Sequence, residues 1–169
     1  MPILGADARR LACAAAAALV LLSQASLADG PDLLENNRAF AFSARGADAQ
    51  TIEARFAVAP GYYLYRDKLR FTVEGAQLKG VPALPPGTVK EDEFFGKTQT
   101  YRGVITVRLP LAKPAAGSSL HLVAESQGCA DIGVCYPPQR QEVDIPMPEA
   151  NARAAAFVEA APSRRSWFR

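Results

Sequence analysis

The chain has 169 residues and a mass of 18.0 kDa, 49% hydrophobic and 21% charged, which suits one globular domain and excludes a disordered or collagen-like chain. A net charge of +2 is too mild to argue for a nucleic-acid binder. Three cysteines and one histidine leave little material for a metal cluster or for histidine-dependent catalysis.

The first segment with a character of its own is Leu11 to Leu22, an uncharged, alanine-rich run preceded by Arg9 and Arg10. A basic start, a short apolar stretch and the small residues of Ser26-Leu27-Ala28 mark residues 1–28 as a secretory signal, with cleavage expected after Ala28. A helix of that length rises only about 18 Å, well short of a hydrocarbon core of roughly 30 Å. No other apolar run reaches the length of a membrane span, so the exported chain is expected not to cross a membrane. Cys13 leaves with the signal. The remaining pair, Cys129 and Cys135, is expected as a disulfide in an oxidising compartment.

Beyond the signal the dominant period is two. Ala39 to Ser43 is an early strand candidate, and Ile52, Ala54, Phe56 and Val58 alternate with Thr51, Glu53, Arg55 and Ala57. Leu69, Phe71 and Val73 alternate in the same way, while Val104 to Leu109 is continuous and β-branched, as in a buried strand. Leu120, Leu122 and Ala124 mark another strand, and Arg140 to Ile145 the last. Turn signals at Pro60-Gly61, Glu74-Gly75, Pro85-Pro86-Gly87 and Pro114 to Gly117 separate them. Short strands at this spacing, with no amphipathic helix among them, predict an all-β fold: an antiparallel, immunoglobulin-like β-sandwich over residues 29–148. Residues 149–169 read as a tail, with Asn151 capping a short helix over Ala152 to Ala160 that Pro162 ends. Ser163 to Arg169 then adds arginines and aromatics, either a frayed end or a contact for an anionic membrane surface or a partner.

Gln127 to Pro138 is the chemically distinctive stretch. Its two cysteines flank five residues between predicted strands, which places them near facing positions at the base of a hairpin, with Cα atoms about 4.5 to 5.5 Å apart. A bridge over so short a loop contributes only about 2.4 kcal/mol by chain entropy. A chain of this size does not need a staple, and strand-end loops commonly display sites. On these residues alone two readings stay open, a redox-active pair and a local structural bridge. A soft-metal site is a poor third, since only His121 would join the two cysteines. Gly61 to Arg66 carries three tyrosines, and strand alternation puts Tyr63 and Tyr65 on one face. Glu91 to Gly96 sets Phe94 and Phe95 in an acidic, turn-like stretch. Ordinary packing accounts for either cluster as well. No Ser/His/Asp triad, phosphate-cradling loop or nucleotide fingerprint occurs, so no cofactor is expected.

Taken together, GYYLYRDKLRF (from Gly61), EDEFFGKTQTYRG (from Glu91) and QGCADIGVCYPP (from Gln127) resemble the periplasmic N-terminal domain of DsbD-type thiol:disulfide interchange proteins, in order and spacing, from roughly Ala39 to Ile145. The resemblance implies a sandwich whose exposed cysteine pair shuttles between disulfide and dithiol. Electrons would come from a thioredoxin-like domain. They would pass to periplasmic thioredoxin-fold partners, such as disulfide isomerases and the reductants of cytochrome c maturation. It also implies that Cys135 forms the mixed disulfide and that Cys129 resolves it. Asp92, Glu93, Phe94, Phe95 and Gly96 match the family's cap loop, with Phe94 as the shielding aromatic, and Tyr63 and Tyr65 match tyrosines lining the site. Asp92, Glu93 and Asp131 would disfavour a thiolate, and no Lys or Arg adjoins the cysteines in sequence to oppose them. Proteins of this type continue into a membrane domain and a thioredoxin-like domain. With the chain ending at Arg169, either separate membrane and thioredoxin-like proteins are expected to supply the electrons, or the domain serves another redox duty. The competing reading is a β-sandwich binding module with a purely structural disulfide and a Tyr/Phe recognition surface.

Overall fold

The alternation of apolar and polar residues is realised as antiparallel strands in a computed structural model, which describes residues 33–92 and 95–161. The expected signal, Glu93, Phe94 and the basic aromatic terminus lie outside the described residues. One helical turn, α1 (Asn36–Ala39), leads into β1 (Phe40–Asp48), β2 (Thr51–Val58) and β3 (Tyr62–Tyr65). A 3-10 turn (Arg66–Lys68) then precedes β4 (Arg70–Glu74), β5 (Thr88–Asp92), β6 (Gly96–Tyr101) and β7 (Gly103–Pro110). Then follow β8 (Ser119–Ser126), β9 (Gly128–Ala130), β10 (Gln139–Pro146) and β11 (Val158–Glu159).

The described residues form three antiparallel sheets, with strand orders β11-β1-β2-β7, β10-β8-β4 and β5-β6-β3-β9. The first two supply one shared core. Phe42, Ala44, Ile52, Ala54, Phe56, Val107 and Leu109 come from the first sheet, and Leu120, Leu122, Ala124, Val143 and Ile145 from the second. Phe56 links the layers, its ring 4.8 Å from Phe42 within its own sheet and 6.5 Å from Phe71 of β4. Burying side chains of this size stabilises the fold by roughly 1.5–3 kcal/mol each relative to leaving them exposed.

The third sheet positions the site. β3 is its inner strand, paired with β6 on one side and β9 on the other, and all four of its residues are buried. Because side chains alternate across a strand, Tyr62 and Leu64 join the main core while Tyr63 and Tyr65 form a small separate cluster with Cys129.

Two sequence expectations are corrected. Val104 to Leu109 is not covered on both faces: β7 lies at the edge of its sheet, so Val107 and Leu109 are buried while Val104 is 68% exposed. Ala152 to Ala160 does not form a helix. Asn151 takes a left-handed φ of 66°, and the segment then runs extended along β1. The Ala155 and Ala160 N–H groups donate to Gly46 O and Phe42 O, and Ser43 pairs with Glu159. Unpaired backbone groups on a sheet edge, together with a ring anchor at Phe157 between Arg45 and Arg55, prevail over the marginal propensity of a short isolated helix. No helix among the described residues is long and apolar enough to cross a membrane.

Candidate functional site

The cysteine segment begins where the chain changes sheets. β8 ends at Ser126, Gln127 bridges, and β9 pairs with β3 in another sheet, setting Gly128 opposite Leu64 and Cys129 opposite Tyr63. The Tyr65 N–H donates to Gln127 O at 2.9 Å and holds this crossing. Only glycine fits at 128. A Cβ there would lie 2.3 Å from the Tyr63 carbonyl oxygen and 2.6 Å from the Phe40 ring.

Beyond β9 the chain folds back at once. The Ala130 N–H donates to Val134 O at 2.8 Å and the Gly133 N–H to Ala130 O at 3.0 Å, with Gly133 at φ 87°. Cys129 and Cys135 therefore face each other as an antiparallel bridge and are joined by a disulfide, S–S 2.07 Å, Cα–Cα 4.0 Å. That Cα separation is shorter than expected for facing hairpin positions. Asp131 N–H to Gly61 O and Tyr136 N–H to Gly128 O fasten the hairpin on both flanks.

The two sulfurs sit in different surroundings. Cys129 is 0% exposed, whereas Cys135 is half-buried. The Tyr65 hydroxyl lies 3.2 Å from Cys129 Sγ, and Tyr65 is itself fully buried. The Tyr63 and Tyr65 rings meet edge to face at 5.4 Å, and Phe95 packs on Tyr65 at 4.8 Å. Cations surround these rings. Lys68 Nζ is 4.3 Å from the Phe95 centroid and Lys90 Nζ 4.7 Å from that of Tyr63, also donating to the Tyr63 hydroxyl at 3.3 Å.

Arg102 completes the collar. Its guanidinium lies 5.3 Å from the Tyr63 ring, donates to Tyr62 O, and forks onto the Asp131 carboxylate at 2.6 and 3.0 Å. That hydrogen-bonded fork holds the Asp131 carboxyl below its ordinary range, against a smaller opposing effect of burial, and raises Arg102 in return. The loop carboxylate is thus neutralised by a partner remote in sequence, and a purely acidic setting for the pair does not hold.

Tyr63 and Tyr65 lie where the alternation placed them. Phe95 is beside them, the backbone of Asp92 pairs with Gly96 at the start of β6, and Glu93 and Phe94 lie outside the described residues. Sequence reasoning missed Arg102, Lys90, Lys68 and Tyr136. Arg102 follows β6, and only the β6-β3-β9 order brings it to the loop. Tyr136, next to Cys135, packs edge-on against Phe40 at 5.5 Å and donates to Leu34 O, while the Tyr62 hydroxyl accepts from Leu34 N. Burial, then its hydrogen bond with Tyr62, pushes Tyr136 up to about 12.

This geometry has counterparts. The family described as thiol:disulfide interchange protein DsbD, N-terminal, matches residues 30–146. The thiol:disulfide interchange protein DsbD of Ralstonia nicotianae is 41% identical over 152 residues, 86% of this chain and 25% of that protein. DsbD 2 of Pseudomonas aeruginosa is 45% identical over 114 residues, 68% of this chain and 18% of that protein. The chain thus spans about a quarter or less of the length of these relatives. The crystal structure of the Neisseria meningitidis DsbD N-terminal domain in the reduced form superposes with a TM-score of 0.65 at 36% identity, covering 77% of this chain and 97% of that one. The same domain in complex with the PilB N-terminal domain, also from Neisseria meningitidis, superposes with a TM-score of 0.58 at 40% identity, covering 69% and 89%.

Proposed function

This chain belongs to the family of the DsbD N-terminal domain, and on that premise we propose that it is a thiol-disulfide exchange carrier whose Cys129–Cys135 bridge opens and closes with each transfer of two electrons. The observation that carries this reading is the asymmetry of the bridge. Cys129 is sealed and Cys135 is only partly buried, in an aromatic cluster apart from the main core. A bridge serving stability would tie distant parts of the core together; this one closes a short hairpin and contributes at most about 2.4 kcal/mol.

In this reading Cys135 forms the mixed disulfide and Cys129 resolves it. Exchange needs a thiolate to reach a sulfur, so access decides which cysteine is attacked. The cap-loop residues Asp92 to Gly96, with Phe94 as shield, restrict that access to docked partners. Residues 1–28 direct export, and the carrier works in the periplasm. It accepts electrons from a thioredoxin-like partner served by a membrane electron-transfer protein, and passes them to thioredoxin-fold proteins of disulfide isomerisation or cytochrome c maturation. The complex formed by the meningococcal domain supports a protein partner docking on this fold.

Trapping tests the proposal. In a periplasmic extract the Cys129→Ser variant is expected to accumulate mixed disulfides through Cys135 with thioredoxin-fold proteins, and Cys135→Ser is not. If neither variant captures such a protein, and the bridge titrates below about −300 mV like a structural disulfide, the carrier reading fails.

A further inference from the structure

Tyr65 does more than line the site. In the oxidised pair neither sulfur carries a hydrogen, so the contact of 3.2 Å between the Tyr65 hydroxyl and Cys129 Sγ has one direction, with the O–H donating to sulfur. Both residues are 0% exposed, so water does not compete for either atom. Several contacts fix the hydroxyl in place. Tyr65 sits in an inner strand, its N–H is held by Gln127 O, it pairs with Thr100 of β6, and its ring is wedged between Tyr63 and Phe95.

We propose that the Tyr65 hydroxyl is the donor that receives the departing Cys129 sulfur when the bridge is opened, making Cys129 the leaving group and Cys135 the sulfur under attack. This rests on the carrier reading above. A thiolate of a reductant protein dithiol attacks Cys135 Sγ. A new S–S bond forms there, the Cys129–Cys135 bond breaks, and its electron pair stays on Cys129 as a thiolate. In a sealed site that charge is costly unless a donor already points at it, and a preplaced donor needs no reorganisation as the charge develops. The second thiolate of the reductant then attacks its own sulfur in the mixed disulfide and releases Cys135. The reductant ends as a disulfide, this pair ends reduced by two electrons, and the two protons of the reductant dithiol pass to the pair or to solvent. A lower pKa of the leaving thiol also speeds its departure.

The test uses Tyr65→Phe, which removes one oxygen and keeps the ring. In the Cys135→Ala background, Cys129 ionisation followed by thiolate absorbance is expected to shift upward by about one unit, the loss of a hydrogen bond to a charged group. In the protein with both cysteines, opening of the bridge by dithiothreitol is expected to slow about threefold or more, as a leaving group of higher pKa requires. Site-specific fluorotyrosine at 65, a stronger donor of nearly the same shape, is expected to move both quantities the other way and keeps the proposal testable should Tyr65→Phe misfold. An unchanged Cys129 ionisation in both variants overturns the role of Tyr65. Partner trapping by Cys129→Ser has no departing thiolate and is expected to survive Tyr65→Phe, so failure of this inference is distinguishable from failure of the carrier reading.

Discussion

One ion pair adds a side-chain clamp to the backbone bonds that hold the disulfide hairpin. The Asp131 and Arg102 side chains are 44% and 50% exposed, so their salt bridge contributes little to global stability, under about 1 kcal/mol. Its effect is local, because Arg102 also grips Tyr62 O and stacks on Tyr63 and so ties the hairpin apex to β3. Asp131→Asn should therefore leave the unfolding midpoint nearly unchanged while quickening amide exchange at Ala130 and Gly133 several-fold. The pH dependence has a definite sign. A carboxyl whose folded pKa is depressed contributes fully above its ordinary value of about 4, and that contribution is lost as pH falls through the lowered value. Hairpin protection in the native protein should thus decline below about pH 4 and converge on that of the Asn variant. Amide exchange followed across that range is the check, and a hairpin equally protected in both proteins at neutral pH would remove the clamp.

Among the elements, β11 contradicts local propensity most plainly, and its anchor makes the reason testable. Alanine-rich residues after Asn151 suit a helix, yet the exposed edge of β1 offers backbone partners, and Phe157 inserts between Arg45 and Arg55 at 4.5 and 3.9 Å. Cation–π contacts at exposed sites stabilise by about 0.5–1 kcal/mol each, so Phe157→Ala should lower stability by roughly 1–2 kcal/mol in urea unfolding. Exchange at Ala155 and Ala160 should accelerate with it, since β11 loses its hold on the edge. Loss of stability without faster exchange there would assign Phe157 to some other contact. The same contrast explains what was legible beforehand. Alternating strands such as Ile52 to Val58 and the core face of Leu120, Leu122 and Ala124 announce themselves, because burial on one face imposes a period of two. The short strands β5, β6 and β9 escaped notice because their residues are polar or small, and partners distant in sequence make them strands. For the same reason Tyr63, Tyr65 and the cysteines were assigned to the site beforehand, whereas Lys90, and Lys68 and Arg102 inside the quoted segments, were not.

At the scale of the molecule, the decisive feature is that the disulfide is separated from what holds the fold together. Neither cysteine belongs to the large cluster shared by the β11-β1-β2-β7 and β10-β8-β4 sheets. Cys129 and Cys135 pack instead with Tyr63 and Tyr65 on the far face of β3, which serves the main core with Tyr62 and Leu64. A strand buried on both faces can thus carry a reactive group on one side while the other stays clamped. The hairpin also keeps a backbone frame that does not depend on sulfur, through Tyr65 to Gln127, Asp131 to Gly61, and Tyr136 to Gly128. Opening the bridge therefore removes little: about 2.4 kcal/mol of loop entropy as an upper bound, less to the extent that this frame already closes the loop. The reduced protein, or the Cys129→Ser/Cys135→Ser double variant, should remain fully folded with an unchanged far-UV signature and a stability loss of about 2 kcal/mol or less in urea unfolding. A carrier needs this property, since both redox forms must survive each cycle. A reduced form that unfolded, or that lost well over about 3 kcal/mol, would instead mark the bridge as a structural staple and count against exchange as its role.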